Sequence, residues 1–450
     1  DRADSEDSST RKAFRGPEPG FGCRKRICCA DEGCYADVWD SINCHVLYDK
    51  LKTDLGCKRR RDAMKQVLEK RSSRVFACAI GFRIFVYFCS VIIMCLFGDY
   101  QKPLEMNDFL DAWSRWDTVN YINISEVGYE GAIENGQHLF LVFYPLYPWL
   151  IRTLNLFVHN SRIAAMMIST VCFAIGCVYL DKITTLEFDR RCATKTMMLQ
   201  AVFPFGFFFG AIMTESLFFA LSAMFFYYLR KHRFFEVAFV GFLACLTRNQ
   251  GVLLIIAVIA ELFESGQLLK RMKGNDWKGI FTEIIWPGIK CMPMIGGTLV
   301  YMVINYMIEG DPFRFLYYQK NHWGNRLVPI WDTLKYVSSY TAQKWYTPEG
   351  MALWVPEFVL IFIYIAVIAY GKKIKISAAY LWNLIAYFLL TYSSSWLISG
   401  ARYTLCAVPL FMITGQFITK HERIGKILIG LSWTLMIIYM TGYYQWKQIM

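Results

Sequence analysis

Apolar runs long enough to cross a bilayer recur along this chain and limit its fold more than any other feature. They occupy residues 75–98, 139–158, 163–180, 197–212, 217–228, 234–246, 252–263, 284–308, 353–370, 378–397, 403–418 and 427–444. A helix of roughly 20 apolar residues covers about 30 Å of hydrocarbon, so the pattern predicts about eleven or twelve transmembrane helices. The short period-two segments of an outer-membrane barrel are missing, which points to an all-α polytopic membrane protein. Composition agrees: 55% of the 450 residues are hydrophobic and 19% are charged. An ordinary soluble domain carries about a quarter charged residues.

A formal charge of +12 is compatible with a nucleic-acid partner, but the bases sit where membrane loops place them. Lys58-Arg59-Arg60-Arg61, Arg230-Lys231-His232-Arg233, Lys270-Arg271-Met272-Lys273, Lys372-Lys373-Ile374-Lys375 and residues 420–426 mark cytoplasmic loops. The same rule puts residues 99–137, with eight carboxylates against two bases, on the outer or lumenal side. One conflict arises. Residues 189–195 are also basic, yet two clean crossings between Gln137 and Lys182 would put them outside. Either one run there re-enters rather than crosses, with Pro145 and Pro148 favouring the run after Phe140, or this loop breaks the rule.

Residues 1–74 differ in kind, being polar and holding six of the fifteen cysteines. They read as a poorly ordered cytosolic tail preceding a membrane domain at 75–450. No secretory signal is visible, since the first apolar run begins only near Val75. Cys23, Cys28, Cys29, Cys34, Cys44 and His45 lack the paired spacing of a zinc ribbon or finger, so reduced thiols are favoured over a metal site.

Five polar intrusions carry the chemistry. The first is Trp113-Ser114-Arg115-Trp116-Asp117 with Tyr121, inside the acidic loop. The second is Phe143-Tyr144-Pro145-Leu146-Tyr147-Pro148, where two prolines break hydrogen bonding at the membrane boundary. Thr214-Glu215-Ser216 sets a carboxylate between two apolar spans. Thr247-Arg248-Asn249-Gln250-Gly251 interrupts an otherwise apolar stretch. If that stretch is two short helices, Arg248 lies in a surface turn; if it is continuous, the guanidinium is buried and needs an anionic partner. The last is Ala401-Arg402-Tyr403, whose plain alternative is an arginine snorkelling at a helix end. A second polar loop, residues 309–350, contributes Arg326 on the same side as Asp117. Asn123-Ile124-Ser125 is a glycosylation sequon, meaningful only in a eukaryotic host.

In order and spacing these motifs resemble the PIG-V family, GPI mannosyltransferase II and its prokaryotic relatives, over roughly residues 75–446. The family's Phe-Phe-Pro-Gly-Phe-Pro is here Phe143-Tyr144-Pro145-Leu146-Tyr147-Pro148, and its Arg-Ser-Asn-Gly is here Arg248-Asn249-Gln250-Gly251. The resemblance implies a GT-C fold with two long outer loops. It also implies transfer of mannose, with inversion, from a polyprenyl- or dolichyl-phosphate donor to a lipid-linked or glycan acceptor. Such an enzyme would sit in the plasma membrane of a prokaryote or the endoplasmic reticulum of a eukaryote.

The residues suit that chemistry. Asp117 is the expected base for the acceptor hydroxyl, and Glu215 either orients the acceptor or acts as a second carboxylate. Arg248, Arg402 and Arg326 are the cations expected at the departing phosphate. Trp116, Tyr121, Tyr144 and Asn249 complete the expected substrate contacts. A phosphate leaves readily, so neither metal nor other cofactor is expected. The runner-up among enzymes is another polyprenyl-phosphate-sugar transferase acting on a cell-envelope glycan, lipid or protein; the competing class is a lipid transporter or flippase, which would also carry proline-broken helices and intramembrane charges. Against it stand the missing inverted repeat and the concentration of acids and aromatics in outer loops.

Overall fold

The computed structural model describes residues 44–97, 104–445 and 449, with side chains from Glu69 onward. The chain divides into two units, Asp1–Met64 and Lys65–Met450. What is described of the first unit is the opening of helix α1 (Cys44–Phe97). The rest of the predicted tail, and the side chains of all six tail cysteines, lie outside the described residues.

In the second unit, α1 is followed by α2 (Met106–Trp113), α3 (Thr118–Gly131), α4 (Leu146–Val158), α5 (Ser161–Glu187) and α6 (Arg190–Ala201). Then come α7 (Glu215–Arg230), α8 (Phe234–Cys245), α9 (Leu254–Ser265) and α10 (Trp277–Glu309). The last six are α11 (Arg314–Asn321), α12 (Ile330–Lys344), α13 (Gly350–Lys373), α14 (Ala378–Thr391), α15 (Val408–Lys420) and α16 (Glu422–Tyr444). Among the described residues the only β pairing is two isolated bridges. Five helices are long and apolar enough to cross a membrane: α1 from Glu69, α5, α10, α13 and α16. The chain is an integral membrane protein.

The remaining predicted runs fold as shorter pieces. Helices α7, α8, α9, α14 and α15 have 12 to 16 residues. At 1.5 Å per residue they reach only about 18–24 Å. Run 139–158 departs furthest from a crossing, being a 3-10 turn (Leu139–Val142), a proline break and the 13-residue α4. A left-handed His159 ends α4, and Asn160 caps α5 by accepting from the amides of Arg162 and Ile163. Arg162 then pairs with Asp111 of α2, so α5 starts beside the acidic loop. At its other end Asp181 of α5 holds Arg71 of α1 through two hydrogen bonds of 2.8 and 2.6 Å. Between Gln137 and Lys182, α5 is long and apolar enough to cross and the 13-residue α4 is not, and a single crossing there would agree with residues 189–195 lying at the basic end.

That basic end gathers Arg71, Arg191 paired with Glu422, and Lys195 on the carbonyl of Ile418. It also holds Arg230 between Glu187 and Glu261 at 2.7 Å each. Helices α5 and α7 pack closely against each other in the core. Gly176 permits it, because a Cβ there would lie 2.4 Å from the buried Phe219 ring. Gly176→Ala is expected to cost about 1–3 kcal/mol through overpacking, despite alanine's better helix propensity. Thermal unfolding of the solubilised protein checks this, with Gly81→Ala as the control, since nothing lies within 4 Å of that position.

Candidate active site

Between α2 and α3 the chain turns at Trp116, whose φ of 46° is left-handed and sterically costly for a residue with a Cβ. The turn is held from several sides. Trp113 is fully buried and its indole donates to Ser90 at 3.2 Å. Tyr443 of α16 donates to the carbonyl of Trp113 at 3.3 Å and meets the Trp116 ring edge-on at 5.0 Å. Thr118 donates to the carbonyl of Ile212 at 3.3 Å, tying the turn to the phenylalanine-rich segment before α7. The result is that Asp117, at the start of α3, is aimed at Arg402.

Asp117 accepts from Arg402 Nη2 at 3.0 Å. Arg402 Nε lies 3.2 Å from Glu215 Oε1, and the same oxygen accepts from Arg248 Nη1 at 2.9 Å. Four charged side chains from widely separated stretches thus alternate in sign along one line. Three are buried: the Glu215, Arg402 and Arg248 side chains are 2%, 7% and 10% exposed, whereas Asp117 is 27% exposed. Tyr403 lies under both guanidinium groups, with ring centroids 4.9 Å from Arg248 and 5.5 Å from Arg402. Burial alone would depress the Arg402 pKa, but the Asp117 and Glu215 carboxylates outweigh it and the net direction is upward. Glu215 Oε2 has no hydrogen-bond partner among the described residues.

The other motifs frame this line. The amide of Leu146, between the two prolines, donates to the carbonyl of Leu246 at 3.1 Å, which joins the proline segment to the Arg248 turn. Tyr121 sits one helical turn after Asp117 and packs edge-on against Phe143 and Tyr147, at 5.1 and 5.5 Å. Its burial, reinforced by the Asp117 charge, pushes its phenol upward, so it stays neutral. Tyr144 lies behind, stacked on Tyr301 at 4.0 Å.

Not every expected residue joins. Arg326 is exposed; its backbone amide bonds Ser395 Oγ and its carbonyl accepts from the Ser395 amide, both at 2.9 Å. Asn249 is exposed, and the buried neighbour Gln250 faces Arg248 Nε instead, at 3.4 Å. A 3-10 turn from Asn249 to Leu253 reverses which side chain points inward. Arg248 matches neither alternative drawn from the sequence: α8 and α9 are two short helices, yet the guanidinium between them is buried.

Glu357 was missed by sequence reasoning. It is 1% exposed near the start of α13, and its carboxylate accepts from the Ala401 amide at 2.9 Å. It therefore fixes the turn that carries Arg402. Gly400 makes the approach possible, since a Cβ there would lie 2.3 Å from Glu357 Oε2. The only signal was an acid inside an apolar run. Gly400→Ala is expected to lower turnover about tenfold to hundredfold by displacing Arg402. Initial rates, with a melting curve to show that the fold survives, check it.

No family model matches the chain. GPI mannosyltransferase 2 of Yarrowia lipolytica is 24% identical over 268 residues, which is 59% of this chain. The match spans 66% of that protein, just under two thirds of its length. Among solved structures, ArnT from Cupriavidus metallidurans bound to undecaprenyl phosphate aligns at a TM-score of 0.45 with 14% identity. That alignment covers 68% of this chain and 58% of the other, a likeness too loose to carry an argument.

Proposed function

We propose that this protein is an integral-membrane glycosyltransferase that moves mannose from a polyprenyl- or dolichyl-phosphate carrier to a glycolipid acceptor of the glycosylphosphatidylinositol type. The observation that carries the reading is the charged line Asp117–Arg402–Glu215–Arg248, because its two kinds of charge match the two ends of the reaction. At one end the acceptor hydroxyl oxygen attacks the anomeric carbon while Asp117, the most exposed member, takes the hydroxyl proton. At the other, the bond from the anomeric carbon to the phosphate oxygen breaks. The phosphate monoester leaves with that electron pair, its new charge stabilised by Arg402 and Arg248. Attack opposite the departing phosphate inverts the anomeric carbon. Glu215 bridges the two cations through one oxygen and keeps them together against their mutual repulsion, and Tyr121 supplies a neutral wall beside the base.

The resemblance to the yeast GPI mannosyltransferase 2 supports the choice of sugar and acceptor class. In a eukaryotic cell the reaction would face the lumen of the endoplasmic reticulum.

The test uses membranes containing the full chain, supplied with polyprenyl-phosphate carrying radiolabelled mannose. A labelled, lipid-extractable product absent from control membranes is expected. If folded protein yields none, and polyprenyl-phosphate glucose and galactose also yield none, the reading fails and lipid transport becomes the hypothesis to test.

A further inference from the structure

At the basic end, away from the charged line, an apolar groove of about 650 Å³ opens between the membrane part of α1, the second half of α5, α6 and Ile429 of α16. Its walls include Val75, Phe82, Phe173, Met197 and Met198. Its mouth is ringed by Lys70, Arg71, Arg74 and Arg190. From Arg74 to Phe82 the groove descends about 12 Å along α1, most of the depth of one hydrocarbon leaflet. The volume falls in the ordinary range for small-molecule sites, about 300–1,000 Å³.

We propose that this groove binds one anionic glycerophospholipid, with its phosphodiester among Lys70, Arg74 and Arg190 and an acyl chain along the α1–α6 wall. Arg71 is already neutralised by Asp181 and serves to clamp α1 to α5. The other three cations have no carboxylate partner among the described residues, although Glu69 lies beside Lys70 and Arg74 on the outer rim. Cytoplasmic loops are basic in most membrane proteins, which accounts for the sign of the charge. It does not account for cations from two separate helices converging on the mouth of a single apolar groove. The wall is also preformed. Buried Arg83 donates to the carbonyl of Gly206 at 2.9 Å and lies over Phe173 and Phe82, at 4.5 and 5.1 Å, holding both rings in place. A zwitterionic lipid would fill the same groove but brings an ammonium to the cationic mouth, so the site selects for net negative charge.

The experiment uses full-length protein in detergent, phosphatidylinositol carrying a diazirine in one acyl chain, and the matching phosphatidylcholine. Photolabelling is quantified by mass spectrometry on peptides covering residues 75–82 and 197–202. Phosphatidylinositol should label these peptides at least tenfold more than phosphatidylcholine. The triple variant Lys70→Gln, Arg74→Gln, Arg190→Gln should lose labelling on the order of one hundredfold, at about fivefold per cation. Should the triple variant misfold, the pair Lys70→Gln, Arg74→Gln should still lose about 25-fold by the same factor. Met198→Trp, which fills the groove and leaves the rim intact, should also abolish labelling. Equal labelling by phosphatidylcholine, undiminished labelling in either rim variant, or displacement of the probe by millimolar inorganic phosphate would each overturn the proposal.

Discussion

Replacing Asp117 by Asn is expected to lower mannosyl transfer by about 10²–10⁴-fold while leaving the protein folded. Asparagine keeps the size of the side chain and an oxygen for Arg402 Nη2, so the turn at Trp116 has no reason to move. What it removes is a proton acceptor at the one end of the charged line that solvent and an acceptor hydroxyl reach. The choice of Asp117 over Glu215 rests on exposure, 27% against 2%, and on partners. Glu215 is flanked by two guanidinium groups on one oxygen, whereas among the described residues Asp117 pairs with Arg402 alone.

Initial rates with the radiolabelled donor measure the effect, and melting curves of the solubilised proteins separate chemistry from folding. Asp111→Asn is the control: Asp111 belongs to the same acidic loop but is 67% exposed and pairs with Arg162, and its loss should change the rate less than twofold. Near-normal turnover in Asp117→Asn would remove Asp117 as the base. An unfolded Asp117→Asn would instead make the ion pair with Arg402 structural.

The membrane character of the chain and the ends at which its charges collect were legible from run lengths and from the positions of lysine and arginine. The irregular run at 139–158 was legible too, because prolines at 145 and 148 cannot continue a crossing helix. Side-chain direction was not. Asn249 and Gln250 are equally polar neighbours, and only the 3-10 turn decides that Gln250 faces Arg248. Arg326 shared its predicted side of the membrane with Asp117, but sidedness says nothing about distance. Its neighbours turned out to be the 393–396 segment. Glu357 went unnoticed because a single acid in an apolar run has no local pattern; its partner amides at Gly400 and Ala401 lie far along the chain. Periodicity reports on faces of elements, and the site is assembled from the ends of five of them.

Glu215→Leu should destabilise the protein by about 3–5 kcal/mol, since it strands two buried guanidinium groups around an apolar side chain. Arg402 would keep Asp117, but Arg248 would keep no carboxylate among the described residues, retaining Thr214 at 3.2 Å, Gln250 at 3.4 Å and the Tyr403 ring. Glu215→Gln, which still accepts one hydrogen bond, should lose about 1–3 kcal/mol. Chemical denaturation of the solubilised proteins measures both. The double variant Glu215→Leu, Arg248→Leu closes a thermodynamic cycle, and recovery of at least 1 kcal/mol relative to Glu215→Leu alone would show that the two side chains are coupled. A Glu215→Leu variant as stable as the wild type would mean that Glu215 is not the counter-ion. The double variant has a second use, because buried ion pairs exchanged for well-packed leucines often cost nothing in stability. If it is stable and inactive, the arginine and glutamate are present for the phosphate that arrives with the donor and not for the fold. The contrast with Asp117→Asn then assigns each carboxylate its part: the exposed one takes the proton, and the buried one keeps two cations close enough to receive a leaving group.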